Sequence, residues 1–200
     1  MLNAGLSTLV YLKSRLLPEA GVDETQWDTA LGKLGESVAR RFELHCNRLF
    51  GRVIAAADLY SARSLAVCLK CYPVESITSV QLRDADGNLS SAGSSYTLDE
   101  ASGLLEFLTA PGTAAERLKI TYNGGYWLDP MDATPLPTGA TALPADLLEL
   151  WIAEVQLQAE ARGIFGAVAL RKPDSKIKSA EGLSADTVDG LRGYRRFSGE

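Results

Sequence analysis

CLKCYPVESITSVQL, residues 68–82, admits two readings, and the choice between them decides the fold. Cys68 and Cys71, three apart, invite a metal or redox site. Tyr72, Val74, Ile77, Val80 and Leu82 around Pro73 invite extended chain with a turn. In one strand, positions 68 and 71 differ by an odd number and face opposite sides, which spoils chelation unless the chain bends. Four-ligand zinc would also need both remaining soft ligands of the chain, His45 and Cys46, with none to spare. Strands carrying small packed thiols are the better reading, with no metal and no cofactor.

The surrounding composition fits it. The 200 residues are 46% hydrophobic and 22% charged, enough for one globular domain with a core, or a domain with an appendage. With 20 Lys and Arg against 25 Asp and Glu, the net charge is −5, so no general attraction to nucleic acid or anionic membrane is built in. Residues 171–200 reverse the balance, with seven basic side chains against five acidic. Three cysteines make a poor disulfide framework, and the first residues lack the order of a secretory signal, so a reducing cytoplasm is the expected site of synthesis. No apolar run approaches the roughly 20 residues of a membrane span.

Outward from the quoted stretch, helical periodicity brackets a β-rich centre. The spacing predicts helices over 6–17, 24–50 and 145–163, the second with Asp23 as its N-cap and the third entered through Pro144 and Asp146. Trp27, Leu34, Val38 and Phe42 on the second, and Leu148, Trp151, Ile152 and Val155 on the third, are the expected core. Between Arg52 and Tyr126, short β-rich runs alternate with the turns DADGN, SSAGS, EASG and APGT, which predicts antiparallel hairpins in an insert over 52–126. Beyond residue 170 the pattern fades into a polar tail. The expected class is α+β: a small helical bundle, an inserted antiparallel β-hairpin region and an extended C-terminal tail, divided as 1–170 and 171–200.

Nothing in the chain assembles catalytic chemistry. There is no GxSxG, phosphate loop or dinucleotide fingerprint. His45, the single histidine, sits on the apolar stripe of the second helix without a nucleophile motif beside it. Asp84 and Asp86 belong to a turn that lacks the further oxygen ligands of a calcium loop. NGGY, residues 123–126, is a glycine pair at a strand end, with no helix following to cradle phosphate. No catalytic and no metal residue is assigned, and no enzyme is expected.

Taken in order, VARRFELHCNRLFG, LKCYPVESITSVQLRDADG, YTLDEASGLLEF, LKITYNGGYW, LPADLLELWIAEVQLQAEARG and LRGYRRF resemble the head-tail connector (adaptor, head completion) proteins of long-tailed bacteriophages and prophages. That family carries Pro-Val-x-x-Ile, Tyr-x-Leu-Asp, Thr-Tyr-x-x-Gly-Tyr and Leu-Pro-x-Asp-Leu in this same order. The resemblance spans about residues 6 to 197 and departs from the family's pattern around VIAAADLYSARS and beyond Arg171. It implies a non-enzymatic virion protein at the neck: a ring of about twelve copies that docks on the portal protein, extends the channel for double-stranded DNA and receives a tail-side stopper or tail-terminator protein. No membrane is involved. Leu191, Tyr194, Arg195, Arg196 and Phe197 are composed like an anchoring peptide and are the portal-contact candidates. The rival readings are a small metal-binding module on Cys46, Cys68, Cys71 and His45, or a nucleic-acid-binding module using the tail.

Overall fold

The structure, a computed structural model, describes residues 9–16, 27–93, 95–127, 135–162 and 182–196. The chain divides into two compact units. A helical unit takes residues 1–47, 128–136 and 142–195, and a β unit takes residues 48–127, 137–141 and 196–200. Helices and antiparallel sheets together give the α+β class. Among the described residues no helix is long and apolar enough to cross a membrane.

In the helical unit, α1 (Leu9–Leu16), α2 (Asp28–Cys46) and α3 (Ala145–Ala161) bury the stripes their spacing creates. Leu31, Leu34, Val38 and Phe42 of α2 and Trp151, Ile152 and Val155 of α3 are at most 6% exposed. The Trp151 indole donates to the Gly35 carbonyl at 3.2 Å, so the largest core side chain also has its polar atom satisfied. Two expected core residues differ. Trp27 lies in the turn before α2 and is half-buried, and Leu148 is half-buried while Leu147 is fully buried. Helix α3 begins one residue after Pro144, and that entry places 147, 151, 155 and 158 on the inner stripe.

Helix α2 does not run on to residue 50. Asn47 takes a left-handed conformation (φ 52°) and its N–H returns to the Glu43 and Leu44 carbonyls, an αL stop supplied by Asn instead of the glycine four residues on. Its expected cap, Asp23, and the expected first turn lie outside the described residues.

The expected C-terminal tail is not extended where it is described. Gly182–Tyr194 forms α4 (Ala185–Gly190) and a 3-10 turn (Leu191–Tyr194). Leu183 and Leu191 are 0% exposed in the helical unit. A polar anchor accompanies them. Glu154 of α3, 1% exposed, accepts from the Ser184 N–H at 3.1 Å, the Thr187 hydroxyl at 2.8 Å and the Gln158 amide at 2.7 Å. Arg41 donates to the Gly182 carbonyl at 2.8 Å.

The β unit holds nearly all the strands. Strands β1 (Val53–Ser61), β3 (Val74–Arg83), β4 (Leu89–Ser91) and β7 (Arg117–Gly124) form one sheet in the order β1-β7-β3-β4. Strands β2 (Ala66–Cys68), β5 (Tyr96–Asp99) and β6 (Leu104–Phe107) form a second, ordered β2-β6-β5, and the two-residue strands β8 (Tyr126–Trp127) and β9 (Thr141–Ala142) follow. The predicted hairpins exist as β3–β4 across the DADGN turn and β5–β6 across EASG. The large sheet is not built from sequential hairpins, however, because β7 inserts between β1 and β3 and pairs with both. Strict alternation along β7 sends Leu118, Ile120 and Tyr122 inward, 0, 0 and 1% exposed, and Arg117, Lys119, Thr121 and Asn123 outward.

At the end of β7 the backbones crowd. A Cβ on Gly124 would lie 2.6 Å from the Cys71 carbonyl, and one on Gly125 (φ +96°) 2.5 Å from the Gly51 carbonyl. The NGGY pair is therefore a close-approach site. The Gly125 N–H donates to Pro73 O at 2.8 Å and the Tyr126 N–H to Phe50 O at 2.7 Å.

Phe42→Ala is expected to cost roughly 3 to 5 kcal/mol in chemical denaturation, because the ring is wholly buried. Leu44→Ala, two residues on and 64% exposed, should change stability by less than about 0.5 kcal/mol. Equal effects of the two substitutions would mean that the buried stripe of α2 is misassigned.

Candidate functional site

The quoted stretch resolves into three pieces. Cys68 ends β2, Leu69–Pro73 is irregular with a cis Tyr72–Pro73 bond, and β3 starts at Val74. Cys71 is buried, its thiol 3.2 Å from the Gly124 carbonyl and 3.3 Å from that of Gly51. Cys68 is half-buried beside the Ser102 carbonyl at 3.6 Å. Cys46 is buried in the helical unit, near the Leu191 carbonyl at 3.9 Å. His45 is half-buried on α2. Among the described residues no three His, Cys, Asp or Glu side chains converge on a metal position.

The structure assembles instead a polar cluster that the sequence did not announce. Asp58, on the inner side of β1, accepts from the Tyr122 hydroxyl at 2.7 Å and the Tyr60 hydroxyl at 3.2 Å. Tyr60 also reaches the Cys68 carbonyl at 2.9 Å, and Tyr122 accepts the Cys71 N–H at 3.0 Å. Burial first, and then the Asp58 charge, pushes both phenols far above their ordinary 10.0. Both stay protonated donors and hold the backbone on either side of Lys70 to β1 and β7. Such phenols serve structure, since nothing nearby takes their protons.

Arg48, 5% exposed, lies 3.4 Å from the ring centre of Tyr72, with Phe50 and Tyr126 at 4.9 and 5.4 Å, and donates to the Tyr72 carbonyl. This is a guanidinium held among aromatic faces. One signal for the Asp58 cluster was present in the sequence: a carboxylate inside an apolar run, VIAAADLYS, requires partners when it is buried.

The portal-contact candidates divide between the two units. Leu191 is inside the helical unit, 0% exposed. The Tyr194 hydroxyl donates to Asp146 at 2.7 Å, also within that unit. Arg195 is exposed. Arg196 belongs to the β unit, where it donates to the Cys68 carbonyl at 2.5 Å. Phe197 lies outside the described residues.

No protein-family model and no curated protein matches the sequence. Solved structures do. A chain in the neck of an empty GTA particle computed with C6 symmetry is similar with a TM-score of 0.63 at 17% identity, over 100% of this chain and 94% of that one. A chain in the virion of a native gene transfer agent (GTA) particle is similar with a TM-score of 0.62 at 18% identity, with the same coverage. In the neck of the native GTA particle computed with C12 symmetry the TM-score is 0.58 at 17% identity, again over 100% of this chain and 94% of that one. At these identities the likeness is one of fold.

Tyr122→Phe removes a donor to Asp58 and the acceptor of the Cys71 N–H, and is expected to cost about 1 to 3 kcal/mol in urea unfolding. The raised phenol pKa values add a pH dependence. The folded state favours the neutral phenols, so their contribution is full below the unfolded value of 10.0 and is lost as pH rises beyond it. Between pH 9 and 11 the wild type should lose stability more steeply than the double variant Tyr60→Phe, Tyr122→Phe. Parallel slopes would show that these phenols are not linked to folding.

Native thiol titration should modify Cys68 first, with Cys46 and Cys71 reacting only on unfolding. Modification of all three thiols at equal rates in the folded protein would contradict the burial of Cys46 and Cys71.

Proposed function

We propose that this chain is a structural protein of the neck of a phage-like particle. It forms a ring at the head-tail interface, docks on the portal protein, extends the DNA channel and presents a platform to a tail-side stopper or terminator protein. The observation that carries the reading is the likeness of fold over the whole chain to chains of GTA neck and virion structures. C6 and C12 symmetry in two of those structures supports a closed ring of six or twelve copies. A closed ring needs a heterologous interface, in which two unlike surfaces of one chain meet. The β unit offers unlike edges: β1, nine residues long with Ile54 and Leu59 exposed, and the short β5 with Tyr96 exposed beside Leu108. The sequence resemblance to connector proteins points the same way.

Within this reading the docking set is Tyr194, Arg195, Arg196 and Phe197. Leu191 is buried in the helical unit and holds the segment in place. Removing everything after residue 170 would strip Leu183 and Leu191 from that core, so substitution tests docking more cleanly than truncation.

Native mass measurement of the purified protein, alone and mixed with the portal protein of its own particle, should show a multiple of the 21.4 kDa chain in at least the mixture. A monomer under both conditions would overturn the ring. Replacing Tyr194, Arg195, Arg196 and Phe197 together by Ala should abolish association with the portal while the melting transition persists. Unchanged association would move docking to another surface.

A further inference from the structure

We propose that the outward face of the sheet β1-β7-β3-β4 is a surface for the phosphate backbone of double-stranded DNA, with Arg83, Arg117 and Lys119 as its phosphate contacts. The inference builds on the reading of the chain as a neck ring around passing DNA, and its test separates the two.

The register creates the patch. Arg83 of β3 stands directly opposite Arg117 of β7, and Lys119, two residues along β7, stands between Leu59 and Gln81. Inward burial of Leu118, Ile120 and Tyr122 fixes all three cations on the outer face. Strand spacing of about 4.8 Å and a two-residue step of roughly 7 Å keep the three backbone positions close together. A duplex carries about one charge per 1.7 Å of axis, so a patch of this size faces several phosphates.

Three observations set this face apart. First, Arg83, Arg117 and Lys119, none of them ion-paired, are the described cations that the strand register places side by side on one sheet face. Like charges directly opposite on a sheet are destabilising, so the Arg83–Arg117 pair is a cost to the fold that a bound anion relieves. Second, the outward paired positions of β3 and β7 beside the cations carry hydroxyls and amides, such as Ser79, Gln81 and Thr121, and the carboxylates of Asp84 and Glu116 follow only beyond the strand ends. Those side chains commonly donate to phosphate oxygens. A chain of net charge −5 thus presents a sheet face whose paired positions on β3 and β7 hold no carboxylate. Third, the exposed large apolar side chains on the strands of this sheet are Ile54, Leu59 and Leu89, 59, 47 and 45% exposed, with no exposed aromatic among them. A protein partner would call for an aromatic or apolar centre. A flat sheet face reaches phosphates and not base edges, so the contact is sequence-independent and weak per copy, as suits DNA that must slide.

The test is binding of the full chain to a fluorescent 30-bp duplex in 20 to 200 mM NaCl, with the mass of the protein recorded in the same buffers. Three phosphate contacts per copy predict a slope of log K against log[salt] of about −2.7 per monomer, which is about 40-fold weaker binding at 200 than at 50 mM salt. The triple variant Arg83→Gln, Arg117→Gln, Lys119→Gln should lose this binding, while Arg40→Gln with Arg192→Gln keeps it. Arg83→Lys should retain the slope, and Arg83→Gln alone should leave the melting temperature unchanged or raised. Retained binding by the triple variant overturns the surface, as does absence of salt dependence in the wild type. Preference for poly-glutamate over the duplex also overturns it, by assigning the face to an acidic protein. Salt-dependent binding by a chain that never forms rings supports the surface and removes the neck reading instead.

Discussion

The β unit depends on one crowding of backbones. At Gly124 and Gly125 the end of β7 passes within van der Waals limits of two other segments, Gly51–Arg52 and Cys71–Pro73, with no room for a side chain on either glycine. Three backbone hydrogen bonds of 2.7 to 3.0 Å cross this point. From it follow the burial of Cys71, the placing of Tyr122 beneath the Leu69–Pro73 turn, and the approach of Arg48 to Tyr72 and Tyr126. Asp58 completes the arrangement by accepting hydrogen bonds from both phenols. A turn that in sequence looked like a thiol site is in the fold a meeting of main chains.

Legibility in the sequence followed the locality of the physics. Helices α2 and α3 were readable because the core face repeats within a few residues, and β7 because Leu118, Ile120 and Tyr122 alternate without a fault. Strand β1 was not, since Ala55, Ala56 and Ala57 carry little β preference and its partner lies far along the chain: Asp58 and Tyr122 are 64 residues apart. Turn chemistry revealed β3–β4 and β5–β6, which are local, but not the insertion of β7 between β1 and β3. The one-residue error between Leu147 and Leu148 arose from where the helix starts, which no periodicity fixes. The C-terminal segment was misjudged on composition. Its few apolar residues, Leu183 and Leu191, are enough when they complete a core begun elsewhere, and Glu154 on the apolar face of α3 was the signal that a polar partner had to come from outside that helix.

The distribution of charge refines what the overall acidity implied. A net deficit of positive charge excludes general adhesion to polyanions, yet it sets no limit on a local face whose register puts cations side by side. Several acidic side chains are already paired within the fold, as in Arg52 with Glu75 at 2.6 and 2.9 Å and Lys13 with Asp28 at 2.7 Å. Net charge averages over surfaces that partners meet one at a time.

The nesting of one unit within the other in sequence bears on the order of events during synthesis. The fully buried core of the β unit is drawn from residues 62–122, with Leu49, Val53, Ala56 and Tyr60 packed against it, so all of it precedes the third helix in the chain. The buried residues of the helical unit run from Leu12 to Leu183 and Leu191, and the packing of α2 against the Leu191–Tyr194 turn must wait for nearly the whole described chain. Translation therefore delivers the strands of the large sheet before the residues that close the helical unit.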